Sequence, residues 1–107
     1  MQIQINSDNI IKADAGTINA MEELLRERLD RFAPRLTRLE VHLKDVNGTS
    51  AGAPDTICTL EARPNGLGPL TVDSNGASID QAVAGAASKM LTALERTFGK
   101  LTNRKGH

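Results

Sequence analysis

The chain has 107 residues, 13 of them Lys or Arg and 13 Asp or Glu, so its formal net charge is zero. That length supports one hydrophobic core and not two, and balanced charge argues against a strong general nucleic-acid binder. Phe32 and Phe98 are the only aromatic residues, so the core falls to Leu, Ile, Val, Ala and Met, and the platforms on which single-strand binders stack bases are missing.

Gln2 to Asn6 alternates polar and apolar residues, which predicts a short strand with Ile3 and Ile5 inward. Residues 7–16 are polar, contain a glycine and read as a loop. Ile18, Met21, Leu25, Leu29 and Phe32 then recur at helical spacing. Asp14, Thr17 and Asn19 are candidate caps for this helix, and Asn19 with Glu22 has capping-box spacing. Pro34 disfavours helix at Ala33 and predicts the end there. Leu24 falls on the basic side, so the helix is not perfectly amphipathic.

Leu39, Val41 and Leu43 alternate with Arg38, Glu40, His42 and Lys44, a half-buried strand. Asn47-Gly48 opens a polar loop running to Pro54; Asn47-Gly48-Thr49 matches the glycosylation sequon but reads as a turn without a secretion signal. Residues 57–63 form the next strand, with Cys58, Leu60 and Ala62 inward, and Pro64-Asn65-Gly66 makes a turn. Leu70 to Asp73 is a short last strand. Ser78, with Gln81 three residues on, caps a second helix whose buried stripe is Ile79, Val83, Ala86, Met90, Leu94 and Leu101. Ala82, Gly85, Ala86 and Ala87 are small enough to let that helix approach its neighbour closely. Gly99 weakens its last turn, and residues 102–107 are expected to form a frayed basic tail beyond a single domain of residues 1–101.

The resulting fold class is α+β, in the order β-α-β-β-β-α. A right-handed crossover sets the first strand parallel beside the second, the others pair as hairpins in a four-stranded mixed sheet, and both helices pack on one face. The other face presents Gln2, Gln4, Arg38, Glu40, His42, Lys44, Thr59, Glu61, Arg63, Thr71 and Asp73, a polar set of mixed sign. Oligomeric state stays open: the strand at Leu70 to Asp73 or that at Ile3 to Ile5 offers an edge to a second chain.

The helices carry a second pattern beside the apolar one. Lys89, Arg96 and Lys100 recur at spacings of seven and four, which places them within about 40° on one helix flank. Arg28, Arg31 and Arg35 nearly repeat this in the first helix, provided the helix reaches Arg35. From Lys89 to His107 there are five Lys/Arg against one acid, whereas residues 1–34 hold four bases and six acids. Two aligned cationic flanks form a track for a phosphate backbone; the plainer reading is two solvated helix faces.

Chemistry-bearing constellations are weak. His42 sits among outward strand positions, His107 is the last residue, and no His/Cys/Asp spacing suits zinc. Cys58 falls inward with no histidine nearby and reads as a small buried apolar residue. Asp73 and Glu61 are neighbours across a hairpin in this reading, and solvated carboxylates are commoner there than an acid/base pair. Gly66-Leu67-Gly68 lacks the third glycine and helix start of a dinucleotide loop, and there is no Gly-x-x-Gly clamp for nucleotides. The expectation is a non-enzyme without cofactor or metal. A lone cysteine excludes an intramolecular disulfide. Without a signal segment or an apolar run near 18 residues, the default is a soluble cytoplasmic protein with no membrane partner.

Met1-Gln2-Ile3-Gln4-Ile5, the segment from Glu22 to Phe32 and the strand Leu39-Glu40-Val41-His42-Leu43 resemble the ribosome hibernation factors, also called the ribosome-associated inhibitor or sigma-54 modulation family. Thr71-Val72-Asp73, Ser78 to Val83 and Ser88-Lys89-Met90-Leu91 look like that family's last strand and second helix. The likeness covers roughly residues 1–101 and rests on order and spacing together. It implies a domain that binds the small ribosomal subunit and its ribosomal RNA, occupying the channel of messenger and transfer RNA and blocking translation without chemistry. The matching phosphate-contacting positions are Arg28 and Arg31 in the first helix and Lys89, Arg96 and Lys100 in the second, and their role is positioning charge. The chain resembles short members that lack a dimerisation domain.

It also departs from the family pattern. Thr92, Ala93 and Phe98 stand in the second helix where the resemblance implies a denser basic series, no aromatic residue precedes that helix, and net charge is zero. Fewer charges imply weaker, less salt-dependent binding. The alternative is a protein-interaction module regulating a transcription or phosphotransfer partner through an apolar patch near Leu91 and Phe98.

Overall fold

The computed structural model describes residues 1–7, 14–47 and 54–105, with side chains described for 1–7, 14–45 and 56–99. Its elements are β1 (Gln2–Ser7), α1 (Ala15–Arg28), a 3-10 helix (Asp30–Arg35), β2 (Leu36–Asn47), β3 (Pro54–Pro64), β4 (Leu70–Gly76) and α2 (Ile79–Lys105). The sheet order is β1-β2-β3-β4. β1 runs parallel to β2, pairing Ile3 with Leu39 and Ile5 with Val41, while β2–β3 and β3–β4 are antiparallel. Sequence order and pairing agree with the expected β-α-β-β-β-α mixed sheet.

Of the three candidate caps, Asp14 starts α1: its carboxylate accepts the Thr17 N–H at 2.8 Å. That bond holds the Asp14 carboxyl below its usual pKa, because it favours the charged form. Asn19 lies inside the helix. The helix also ends earlier than Ala33. A proline ring clashes with the carbonyl four residues before it, which for Pro34 is that of Asp30. The chain therefore leaves α geometry at Leu29, whose N–H reaches Leu25 O at 3.0 Å, and crosses Pro34 as a 3-10 helix. The change of period carries Phe32 into the core and takes Arg31 and Arg35 off the α1 flank on which Arg28 sits.

β2 begins two residues earlier than the alternation implies. The register shifts between Leu36 and Arg38, and Thr37 is the extra residue of a bulge. The bulge lets Leu36 and Leu39 both point inward, at a spacing that regular pleating forbids. The Thr37 hydroxyl donates to Arg63 O at 2.7 Å across it. At the same end of β3 the following turn closes with Leu67 N–H on Pro64 O, and Gly66 has φ +76°, the left-handed region that glycine enters at no steric cost.

The inward residues of β2 and β3 (Leu39, Val41, Leu43, Cys58, Leu60 and Ala62) pack with Met21 and Leu25 of α1, with Leu29 just past its end, and with Val83, Ala86, Met90 and Leu94 of α2. Leu25, Leu29, Leu39, Val41, Leu60, Met90 and Leu94 are fully covered. Both helices thus lie on one sheet face. α2 is capped as expected, Ser78 Oγ accepting the Gln81 N–H at 3.2 Å, while Gln81 Oε1 accepts from Ala77 N–H at 3.0 Å. Its small residues serve close approach: Ala82, Ala86 and Ala87 are buried, and a Cβ on Gly76 of β4 would lie 2.7 Å from the Ala82 backbone nitrogen. α2 passes through Gly99 to Lys105, so the expected tail boundary at residue 102 falls within the helix. Of the expected stripe, Ile79 is half-buried and the Leu101 side chain lies outside the described residues.

The opposite face is polar, as expected, and internally compensated. Glu40, opposite Glu61 in the register, has Arg38 at 3.5 Å, Arg63 at 3.6 Å and His42 at 4.0 Å, and Arg63 also reaches Glu61 at 3.5 Å. Two facing carboxylates are destabilising unless cations stand between them. Here Arg63 stands between them and Arg38 adds a second cation at Glu40, which leaves no surplus of positive charge on these four side chains. Asp73 lies opposite Thr59 and Glu61 opposite Thr71, so those two acids are diagonal neighbours.

Candidate nucleic-acid interface

The cationic candidates all lie on the helical layer. Lys89 and Arg96 are exposed on α2, two turns apart. A separation of two turns is about 10 Å. Lys89 leans toward the sheet edge, where its Nζ donates to Asp73 O of β4 at 2.8 Å. Arg96 and Arg28 are exposed and, among the described residues, make no ion pair. Lys100 belongs to α2, but its side chain lies outside the described residues. Arg28 shares the last turn of α1 with Arg26, where positive charge complements the helix dipole; Arg26 Nη1 donates to Met1 O at 3.2 Å.

Arg31 is placed differently. On the 3-10 helix it reaches across to α2, and its Nη2 meets Glu95 Oε2 at 2.9 Å. Glu95, next to Arg96 in sequence, thus ties Arg31 to α2 and sets a negative charge among the cations that the spacing aligned. The pair is 66% and 47% exposed, so solvent and salt screen it, and pairs of this kind contribute about 0–1 kcal/mol. It is a contact that a stronger anion can take over.

A group missed by sequence reasoning lies beside it. Phe32 and Phe98 stack with ring centroids 5.5 Å apart and planes 14° from parallel. Arg31 lies over the Phe32 ring at 4.7 Å and Arg35 over the Phe98 ring at 4.9 Å. These residues, with Glu95 and Gly99, line an open cleft of about 400 Å³. The family resemblance implies a basic residue at Phe98, and the alternative reading places it in an apolar patch. Instead it is 8% exposed and belongs to the core, with Leu91 packed partly against it. The expected patch near Leu91 and Phe98 does not form. Phe98 lies four residues after Leu94 and eight after Met90, a continuation of the buried stripe that was available in the sequence.

Nothing reactive accompanies these charges among the described residues. Burial pushes the Cys58 thiol up to about 12, so at neutral pH it stays protonated and is a poor nucleophile. No group of three or more His, Cys, Asp or Glu is placed to hold a metal ion among the described residues, and no described helix is long and apolar enough to cross a membrane.

The arrangement is that of a small α+β domain whose helical layer displays arginine and lysine side chains beside an aromatic-floored cleft. No protein-family model matches the sequence, and no curated protein does. Solved structures do match. The chain is similar to the N-terminal domain of Protein Y from Thermus thermophilus, with 19% identity over 91% of this chain and 99% of that one and a TM-score of 0.72. It is also similar to a ribosomal subunit interface protein from Coxiella burnetii, with 14% identity over 92% of this chain and 99% of that one and a TM-score of 0.70. The β-α-β-β-β-α fold is therefore shared with both over nine-tenths of the chain.

Proposed function

We propose that this chain is a cytoplasmic ribosome-binding protein of the hibernation-factor type and not an enzyme. It docks on the small subunit through ribosomal RNA phosphates and inhibits translation by occupying the channel of messenger and transfer RNA. The observation that carries the reading is the fold shared with Protein Y and with a protein named for the ribosomal subunit interface. Arg28, Arg31, Lys89, Arg96 and Lys100 supply the phosphate contacts in this reading. Their number is small, so affinity is modest and shape does much of the positioning. The alternative of a protein-interaction module loses its proposed surface, because Phe98 is buried against Phe32.

Competition tests the channel-blocking step. Added to cell-free translation before messenger RNA, the protein lowers the yield. Added after initiation complexes have formed, it has little effect on the first round. Equal inhibition in both orders, or none in either, contradicts occupancy of the channel.

A further inference from the structure

We infer that Arg31 and Arg35 form a two-armed phosphate site and that Glu95 is its built-in competitor: the carboxylate holds Arg31 in the free protein and yields it to a phosphate of bound RNA. This rests on the RNA-binding reading above and adds a residue, Arg35, and a mode of control to it.

Three observations carry it. Each guanidinium lies over a ring, Arg31 on Phe32 at 4.7 Å and Arg35 on Phe98 at 4.9 Å, and the rings stack on each other. Stacking leaves the N–H edges of a guanidinium open while restricting its motion, so less freedom is lost when an anion binds. Both arginines line the same open cleft of about 400 Å³, enough for a phosphate group with part of its sugar. Among the described residues Glu95 is the one carboxylate lining that cleft, and it already takes one arm of the site at 2.9 Å.

The exchange follows from charge. Glu95 is half exposed and, among the described residues, pairs with Arg31, whereas an RNA backbone brings a full phosphate charge to each arginine in turn, with oxygens matched to the paired N–H edges of a guanidinium. Binding must displace the carboxylate or work against its charge. Glu95 thus weakens association and lets the site discriminate against single weak anions.

The test is a mutant cycle read on two partners, a short RNA hairpin and isolated small subunits, at low salt. Arg31 and Glu95 are exposed, so Glu95→Gln, Arg31→Ala and the double variant keep the core intact. Glu95→Gln should bind the hairpin about two- to five-fold more tightly, the range of an exposed ion pair released. That gain should vanish in the Arg31→Ala background, and the Arg31 and Arg35 Nε resonances should shift as hairpin is added. An unchanged or weakened affinity in Glu95→Gln overturns the proposal, as does an equal gain without Arg31, which would make Glu95 a distant charge. Saturation of the same resonances by inorganic phosphate at the hairpin's binding concentration overturns RNA as the source of the phosphate. Subunit binding with a flat Glu95→Gln response leaves the ribosome reading standing and removes this inference. A Glu95-dependent hairpin response without subunit binding does the reverse, and no binding to either partner removes both.

Discussion

Phe32 and Phe98, the only two aromatic residues, stack on each other with centroids 5.5 Å apart, one from the 3-10 helix and one from α2. The contact ties the segment after α1 to the second half of α2 and seats the two arginines of the cleft. With side chains 6% and 8% exposed, Phe32→Ala and Phe98→Ala should each lower stability by about 3 kcal/mol in urea unfolding. The double variant should show a coupling of about 1 kcal/mol. Full additivity would mean that the rings are buried independently.

Two glycines should respond in opposite directions. A Cβ on Gly76 meets backbone atoms of Gln81 and Ala82 at 3.0 Å or less, which no side-chain rotation relieves, so Gly76→Ala should cost about 1–3 kcal/mol. At Gly99, inside α2, an added Cβ meets nothing within 4 Å. Gly99→Ala should therefore add about 0.5–1 kcal/mol by restricting the unfolded chain and favouring helix. Thermal melts of the two variants, run together, check both signs.

Much of this architecture was legible in the residues. Alternation at Leu39, Val41 and Leu43, the apolar stripe of α2, and Ser78 with Gln81 are local signals, and each produced its element. The errors lie where tertiary structure overrides local period. Pro34 acts backward on Asp30, so α1 stops before the apolar spacing does. Thr37 bulges to bring both Leu36 and Leu39 inside, which strict alternation cannot express. At Phe98 the family resemblance implies a surface position, whereas the spacing from Met90 and Leu94 points inward, and the spacing prevails. The pairing of Arg31 with Glu95 is between residues 64 apart in sequence and leaves no local trace, so the candidate site was legible as a list of cations but not as an arrangement.

The alkaline limb of stability should belong in part to Cys58. Its buried thiol is raised from 9.0 to about 12 by desolvation. Below pH 9 the thiol is protonated in both folded and unfolded chains and has no effect. As pH rises from about 9 toward 12 the unfolded thiol ionises while the folded one keeps its proton, so the folded state loses stability across that window. With no Tyr in the chain, fewer other groups titrate there. Unfolding measured at pH 8 and pH 10.5 should show a smaller drop for Cys58→Ala than for the parent chain, and equal drops would refute the assignment.

Ribosome association is the claim on which the functional account depends, and sedimentation with purified small subunits across a salt series measures it most directly. The account predicts that the protein pellets with subunits at low salt. With five phosphate contacts, log K should fall against log salt with a slope of about −3.5 to −4.5. Lys89→Glu combined with Arg96→Glu, folded by circular dichroism, should stay in the supernatant. If the parent chain itself remains in the supernatant at low salt, or if the charge-reversed variant pellets equally well, the helical layer is not an RNA-binding surface and the ribosomal reading is wrong.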